Sequence, residues 1–141
     1  MLRLPTALTL MALCVAIHAA GVSWALQRLR RRPRETLRLW ASTRLFVLVS
    51  VWIVLLHLAE ISVWATFYLW RNAMPDLPSA LYFSAVTYTT TGYGDLVLVE
   101  GWRLLGAVEA LTGILMCGWS TGFFFAIVNR LYEVVPQAGQ R

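Results

Sequence analysis

The sequence is poor in charge and contains no lysine. Charged residues make up 13% of its 141 residues and hydrophobic residues 59%, with a mean hydropathy of +0.64. A soluble domain of this length is about half apolar and about a quarter charged. The shortage of charge therefore argues against an ordinary soluble domain and favours a membrane protein. The twelve basic residues are all arginine, and we attach no mechanistic meaning to that choice.

Cysteine and histidine are also scarce, at two residues each. Cys14 and Cys117 both lie in apolar stretches, where cysteine behaves as a small buried hydrophobic residue and not as part of a disulfide framework. No histidine or lysine stands in sequence beside the threonines of residues 87–91 to act as a base, and nothing resembles a metal or cofactor site. We therefore expect no enzyme and no resident cofactor.

Long apolar stretches are what the chain has instead. A membrane-spanning helix needs about 20 mostly apolar residues, and residues 4–26, 45–70 and 102–131 satisfy this requirement. The first stretch contains His18, which we expect to be a packed or lipid-facing residue. The seven tryptophans suit the interfaces of a bilayer. The sequence thus predicts an all-α membrane protein that crosses the membrane three times.

Seven arginines lie close together between the first two stretches. By the positive-inside rule this segment, residues 27–44, faces the cytoplasm, and we expect no nucleic-acid partner for it. The predicted topology places the N-terminus outside the cell (inner) membrane and the short tail, residues 132–141, in the cytoplasm. The arginines are Arg28, Arg30, Arg31, Arg32, Arg34, Arg38 and Arg44.

The first stretch also has features of a cleavable signal peptide, because Arg3 precedes an apolar run that passes through the letters IHAAG. The run continues to Leu26, which is longer than a usual signal core. Cleavage would also leave the arginine-rich segment outside. We therefore expect residues 1–26 to remain as an N-terminal transmembrane helix.

A shorter apolar segment, residues 78–89, lies between the second and third stretches. Its length suits a helix that enters the membrane halfway and returns. Pro78 is suitable for its first turn, and Ser79 can cap it. Residues 90–95 follow and contain Gly92 and Gly94. Glycine adopts backbone angles closed to other residues, so successive carbonyls in such a loop can point the same way. A row of oxygens of this kind can replace the water shell of a monovalent cation.

The segment with the letters VTYTTTGYGD resembles the selectivity filter of the tetrameric potassium channels, a family whose filter commonly has the letters TVGYG. The resemblance covers about residues 77–130 and extends to the small bacterial members. It implies a pore domain at residues 45–131, with an outer helix (45–70), a pore helix (78–89), a filter (90–95) and an inner helix (102–131). It also implies a homotetramer in the lipid bilayer, because each chain supplies one filter loop of four. The implied K⁺ ligands are the carbonyls of Thr90, Thr91, Gly92 and Tyr93 with the Thr90 hydroxyl, and Gly94 completes the ion-binding filter.

The residues around this filter differ from the usual family pattern. Thr91 replaces a valine, so its hydroxyl needs a partner behind the filter. Tyr82 and Phe83 stand where many relatives have two tryptophans; Tyr82 can donate to Asp95, whereas Phe83 cannot donate to Tyr93. We assign Tyr82, Thr89 and Asp95 to filter support and predict a filter less rigid than is usual in the family.

The third stretch carries residues at four-residue spacing that share one helix face. We predict that this face lines the pore, with a hinge glycine at its outer end; the alternative is helix packing, which we favour for Gly118 and Gly122. The predicted pore-lining residues are Gly113, Cys117, Thr121 and Phe125, with Asn129 next in the series.

Two glutamates lie within predicted spans, where a carboxyl group usually faces protein or water and has a partner. His57 precedes Glu60 by one helical turn and can share a proton or hydrogen bond with it. We hypothesise that Glu60 and Glu109 brace the pore helix from behind, for instance through Tyr88 or Thr89; the alternative is neutral acids that satisfy helix contacts. The functional prediction is a potassium channel, the alternatives being a weakly selective cation channel and a non-conducting regulatory subunit.

Overall fold

The computed structural model describes residues 3–31 and 39–132, and these form four α-helices in sequence order. A short 3₁₀ turn, Glu100–Trp102, leads into the last helix. The helices are α1 (Arg3–Arg30), α2 (Leu39–Trp70), α3 (Leu77–Tyr88) and α4 (Arg103–Tyr132).

Three of the helices are long and apolar enough to cross a membrane. Their candidate spans are Leu4–Arg30, Ser42–Trp70 and Glu100–Asn129, with mean hydropathies of 1.8, 2.3 and 1.7. A helix rises about 1.5 Å per residue, so each is longer than the hydrocarbon core of a bilayer. No strand occurs in the residues that the structure describes. The predicted all-α membrane fold is confirmed.

The helices α1 and α2 extend further than the apolar stretches that predicted them. Residues 27–30 of the predicted linker continue α1, and α2 begins at Leu39 and not at residue 45. Arginine is a good helix former, so loss of hydropathy marks the end of the apolar segment and not the end of the helix. Residues 32–38 of that linker and 133–141 of the predicted tail lie outside the described residues.

The short helix α3 begins one residue earlier than predicted, and its capping residue is different. Asp76, and not Ser79, is the N-cap: its Oδ1 accepts a hydrogen bond of 2.8 Å from the Ser79 amide. A carboxylate at this position satisfies an unpaired amide and interacts favourably with the helix dipole. That hydrogen bond also holds the pKa of the Asp76 carboxyl below its usual value.

Helix α3 packs against α2 and α4, and α1 packs against the same two helices. The contact of α1 with α2 is close at Gly21, where an added Cβ would lie 2.4 Å from a Leu56 methyl group. Trp52 of α2 also donates to the Gly21 carbonyl over 3.1 Å. Helix α1 is therefore packed against the helices of the predicted pore domain.

Aromatic residues gather at the end of α2 next to α3. The ring of Phe67 makes edge contacts with Trp70 and Trp102, with centroids 6.2 and 5.9 Å apart. The Arg71 guanidinium lies over both tryptophan rings, 5.4 and 5.5 Å from their centroids. Such amphipathic and cationic groups are typical of a membrane interface.

Candidate functional site

The loop after α3 has an unusual backbone. Positive φ angles occur at alternate residues: 59° at Thr90, 51° at Gly92 and 78° at Gly94. A left-handed residue between ordinary ones reverses the local turn of the chain, so this alternation allows successive peptide groups to face the same side. A β-branched residue such as Thr90 adopts such an angle only when its surroundings impose it. This geometry is suited to a row of carbonyl ligands.

The threonines around this loop are hydrogen-bonded to each other and to α3. The hydroxyls of Thr89 and Thr91 lie 3.0 Å apart, and the Thr89 hydroxyl also donates to the Ala85 carbonyl over 2.7 Å. The Gly92 amide donates to the Val86 carbonyl over 3.1 Å. Thr91 thus has the partner that its hydroxyl requires, and the loop is held against the end of α3.

Asp95 is held by the residue that the sequence singled out for it. The Tyr82 hydroxyl donates to Asp95 Oδ2 over 2.7 Å, and the Leu96 amide donates to Oδ1 over 3.1 Å. The bond from Tyr82 lowers the pKa of the Asp95 carboxyl, because it stabilises the ionised form. The hydrogen bond predicted between Tyr82 and Asp95 is therefore present.

Tyr93 of the loop and Phe83 of α3 have different surroundings. Tyr93 is 72% exposed, so this subunit does not pack its ring, whereas Phe83 is buried. Phe83 makes an edge contact with Tyr68, with centroids 5.4 Å apart. The whole of residues 89–95 is likewise exposed on the subunit surface. One chain therefore covers the rear of the loop and leaves its front open.

Behind the loop, Tyr88 connects α3 to α2. Its hydroxyl donates to Glu60 Oε2 and lies 3.0 Å from His57 Nδ1. Tyr88 and Glu60 are buried, and His57 is partly buried. The direct contact predicted between His57 and Glu60 is longer, at 3.6 Å between His57 Nδ1 and Glu60 Oε2. The pore-helix contact expected for Glu60 is present, and it runs through Tyr88.

Glu109 occupies a second and separate position. The Tyr68 hydroxyl donates to Glu109 Oε2 over 2.9 Å. The Glu109 carboxyl also faces the Ser84 hydroxyl of α3, although neither Ser84 Oγ nor Glu109 Oε1 forms a well-aligned hydrogen bond. Among the described residues, the hydrogen-bond partner of Glu109 is therefore Tyr68 of α2. The suggested partners bond elsewhere: Tyr88 to Glu60 and Thr89 to Ala85.

His18 is packed inside the protein, which is one of the two placements predicted for it, and it does not face lipid. The residue is completely buried, and its Nδ1 lies 2.8 Å from Glu60 Oε1. The two residues are 42 positions apart, and only the packing of α1 on α2 brings them together. An ionisable residue within an apolar span usually has such a partner, and that rule could have identified His18 from the sequence.

Some of these groups could in principle hold a metal ion. The ligand atoms of His18, His57 and Glu60 lie within 4.8 Å of one another, the one such group in residues 3–31 and 39–132. Each of these atoms already has a hydrogen-bond partner in a neighbouring side chain. We therefore assign the group to hydrogen bonding and to no metal ion.

The predicted pore-lining face of α4 is divided. Cys117, Thr121 and Phe125 are exposed, whereas Gly113 is buried. A Cβ at position 113 would lie 1.8 Å from the Tyr88 carbonyl oxygen. Gly113 is therefore corrected from a pore-lining residue to a packing residue that allows α4 to approach the end of α3.

Comparisons with known proteins match the segment that contains these features. A family model described as "Ion channel" matches residues 45–130. The chain is similar to the potassium voltage-gated channel protein Shal of Drosophila melanogaster, at 27% identity over 108 residues, 75% of this chain and 19% of that protein. It is also similar to the A-type voltage-gated potassium channel KCND3 of Rattus norvegicus, at 26% identity over 75% of this chain and 16% of that protein.

The chain thus spans less than a fifth of the length of these two curated relatives. No solved structure matches it. The helix α1 lies outside the family match, which begins at residue 45 within α2. The contact of His18 with Glu60 therefore joins a helix outside the match to one within it.

Proposed function

Since the chain belongs to the ion channel family whose model covers residues 45–130, we propose that it is a potassium-selective channel with a homotetrameric pore. The filter is residues 90–95, and K⁺ is the permeant ion. The ligands are the carbonyls of Thr90, Thr91, Gly92 and Tyr93 and the Thr90 hydroxyl, with Gly94 completing the loop. K⁺ crosses passively, down its electrochemical gradient.

One observation carries this proposal: the alternating positive φ angles at Thr90, Gly92 and Gly94, directly after a short helix between two spanning helices. A dehydrated K⁺ ion needs several oxygens around one axis. A loop whose carbonyls face one side supplies a column of them. The relatives named as potassium channels support the same choice of ion.

Assembly follows from the exposure of the loop. Irregular backbone at membrane depth is tolerated only where protein covers it or where it lines a wet cavity. Residues 89–95 are exposed in the single chain, so other copies have to cover them. Four copies around one axis satisfy this need and complete the ion sites. The C-terminal end of α3 then carries partial negative charge toward the cavity and favours a cation there.

The orientation proposed from the arginines places the filter at the outer face. The N-terminus lies outside, and the C-terminus lies in the cytoplasm of the cell (inner) membrane. Cys117, Thr121 and Phe125 then face the inner half of the pore.

The direct test is ion flux through liposomes that contain only this protein. We expect K⁺ flux that barium blocks, and a reversal potential that follows the K⁺ gradient and not the Na⁺ gradient. The Gly92→Ala variant should lose this flux, because alanine is strained at a φ of 51°. Gly106→Ala is the matched control: its added Cβ meets other atoms at 3.6 Å, which is ordinary contact, so flux should persist.

The other two functions are outcomes of the same experiment. Equal permeation of Na⁺ and K⁺ would identify a weakly selective cation channel. An assembled protein without flux would identify a non-conducting regulatory subunit. Either outcome contradicts the proposal.

A further inference from the structure

Five polar side chains from all four helices form a closed ring of hydrogen bonds, which we call the polar ring. His18 Nδ1 pairs with Glu60 Oε1 at 2.8 Å, and Tyr88 donates to Glu60 Oε2. The Tyr88 hydroxyl pairs with His57 Nδ1 at 3.0 Å. The Ser120 hydroxyl closes the ring, 3.1 Å from His57 Nε2 and 3.3 Å from His18 Nε2.

The polar ring is enclosed by protein. His18 and Glu60 are completely inaccessible and Tyr88 nearly so, while Ser120 is 6% exposed. The His57 side chain is 18% exposed. Other titratable groups face the ring from the same helices: Cys14 of α1, whose sulfur lies 4.0 Å from the Glu60 carbonyl, and Cys117 and Glu109 of α4. Glu109 is paired with Tyr68, outside the ring.

Counting protons shows what the ring requires. Five hydrogen bonds need five protons, one in each contact. The two hydroxyls bring one each and the two neutral imidazoles one each, whereas an ionised carboxylate brings none. The ring therefore needs one more proton, held either by an imidazole of His18 or His57 or by the Glu60 carboxyl. In every one of these arrangements all five contacts are satisfied.

The same proton also balances the charge. With it, the ring is neutral overall, either as an imidazolium with a carboxylate or with every group uncharged. Without it, the ring carries one negative charge, and one contact has two facing lone pairs with no proton between them. Both consequences are costly in an apolar interior. The geometry and the apolar surroundings thus favour the ring with its fifth proton bound.

We propose that the polar ring is a proton-binding site, and that its bound proton keeps α1 fastened to the pore helix through Tyr88. Tyr88, the ring member on α3, lies two residues before Thr90. A change in the protonation of the ring is therefore transmitted to the filter support. The part that concerns conduction rests on the proposed potassium-channel function. Loss of the proton at alkaline pH opens one contact of the ring and loosens Tyr88.

The first experiment reads the site without any ion flux. The chain has two histidines, His18 and His57, so nitrogen-15 labelling of histidine in the membrane-reconstituted protein reports only on ring members. From about pH 5 to about pH 9, we expect both imidazole signals to change together in one step, because one proton serves both. Two independent transitions, or no transition, would overturn the proposal.

Ser120→Ala opens the ring without removing a titratable group. The joint transition should then separate into two or disappear, whereas Ser120→Thr keeps the hydroxyl and should preserve it. Ser62→Ala is the control: Ser62 is an exposed serine on α2 that bonds only its own helix, at the Leu58 carbonyl. A Ser120→Ala spectrum that titrates like the unmodified protein would contradict the ring.

The second experiment measures the K⁺/Na⁺ flux ratio in liposomes against pH. We expect the ratio to fall about fivefold at alkaline pH, the population change that loss of one net hydrogen bond produces. Ser120→Ala should show the low ratio at every pH, and Ser62→Ala the response of the unmodified protein. A ratio independent of pH, or a response that a metal chelator abolishes, would overturn the proposal. Absence of flux at every pH refutes the channel function and leaves the labelling experiment to decide the proton site.

Discussion

The two sides of the filter loop use different parts of the chain. On the front, residues 89–95 offer backbone groups and are exposed in the single subunit. On the back, His18, Glu60, Tyr88 and Ser120 offer side chains and are buried within the same subunit. One chain therefore completes the support of the loop but leaves exposed the side that is proposed to face the ion. In the proposed tetramer, assembly supplies what the front lacks, while the back is already formed.

This contrast has a chemical reason. A selective ion site needs several equivalent oxygens around an axis. Symmetry provides them from a single short segment, because each copy of the chain contributes the same atoms. A bracing contact instead needs unlike partners, donors facing acceptors, which different helices of one chain provide. Mutations on the back should therefore act through stability and selectivity, and mutations on the front through permeation.

The largest effect should come from the point where the two sides meet. We expect Gly113→Ala to destabilise the assembly by about 3 kcal/mol or more, because its Cβ would lie 1.8 Å from the Tyr88 carbonyl oxygen. Thermal unfolding of the detergent-solubilised tetramer measures this loss. Gly106→Ala, on the same helix with ordinary contacts, should stay folded. Equal stability of the two variants would show that α3 and α4 are not in contact here.

The proposed pore-lining face of α4 can be tested from the cytoplasmic side. In a Cys117→Ser background, Thr121→Cys should be modified by a thiol reagent applied from the cytoplasmic face, and K⁺ flux should stop. Thr121 is exposed on α4, so the attached group would occupy the pore. Flux of the Cys117→Ser parent should persist under the same reagent. Labelling of Thr121→Cys without loss of flux would place this face away from the pore.

A comparison of Tyr88 with Tyr68 tests whether Tyr88 braces the filter or only contributes to stability as a buried residue. Tyr88→Phe and Tyr68→Phe each remove a hydroxyl that donates to a buried glutamate, and each should cost about 2 kcal/mol in thermal stability. The Tyr88 variant alone should also lower the K⁺/Na⁺ selectivity, because Tyr88 lies at the end of α3. If both variants lower selectivity equally, the polar ring has no special relation to the filter.

The smallest effect should come from the exposed contact of Tyr82 with Asp95. Tyr82→Phe should modestly lower K⁺/Na⁺ selectivity and open-state lifetime at neutral pH. The pKa of Asp95 is lowered in the folded protein, so its contribution is present above the ordinary value of about 3.9. It is lost as pH falls through the lowered pKa. The difference between the variant and the unmodified protein should therefore vanish in strong acid, as single-channel recordings can determine.

Much of the architecture could be predicted because hydropathy and local backbone conformation depend on residues that are close together in the sequence. The three apolar stretches predicted three long helices, and the partner of Asp95 followed from a tyrosine on the preceding helix. Helix ends were less predictable: α1 continues to Arg30 because arginine is compatible with a helix even where the apolar run has ended. The tetramer and the ion sites stay predictions.

The back of the filter could be predicted only in part. Glu60 was identified as a bracing residue because a carboxyl group in an apolar span needs a partner. The same rule applies to His18, but neither His18 nor Ser120 could be paired with Glu60 from the sequence, since they lie 42 positions before and 60 positions after it along the chain. The pore-lining assignment of Gly113 was also wrong, because a small residue at helical spacing is equally suited to a pore surface and to a close helix contact; its role as a hinge stays a prediction.

The sequence by itself determined which segments enter the membrane and where the backbone can leave the helical form, because hydrophobicity and glycine act locally. Only the tertiary structure decided which polar side chains share protons, because such sharing requires atoms from four helices to meet within hydrogen-bond distance. The packing of α1 on α2 and α4 brings His18 to Glu60 and Ser120, and no local pattern encodes that meeting.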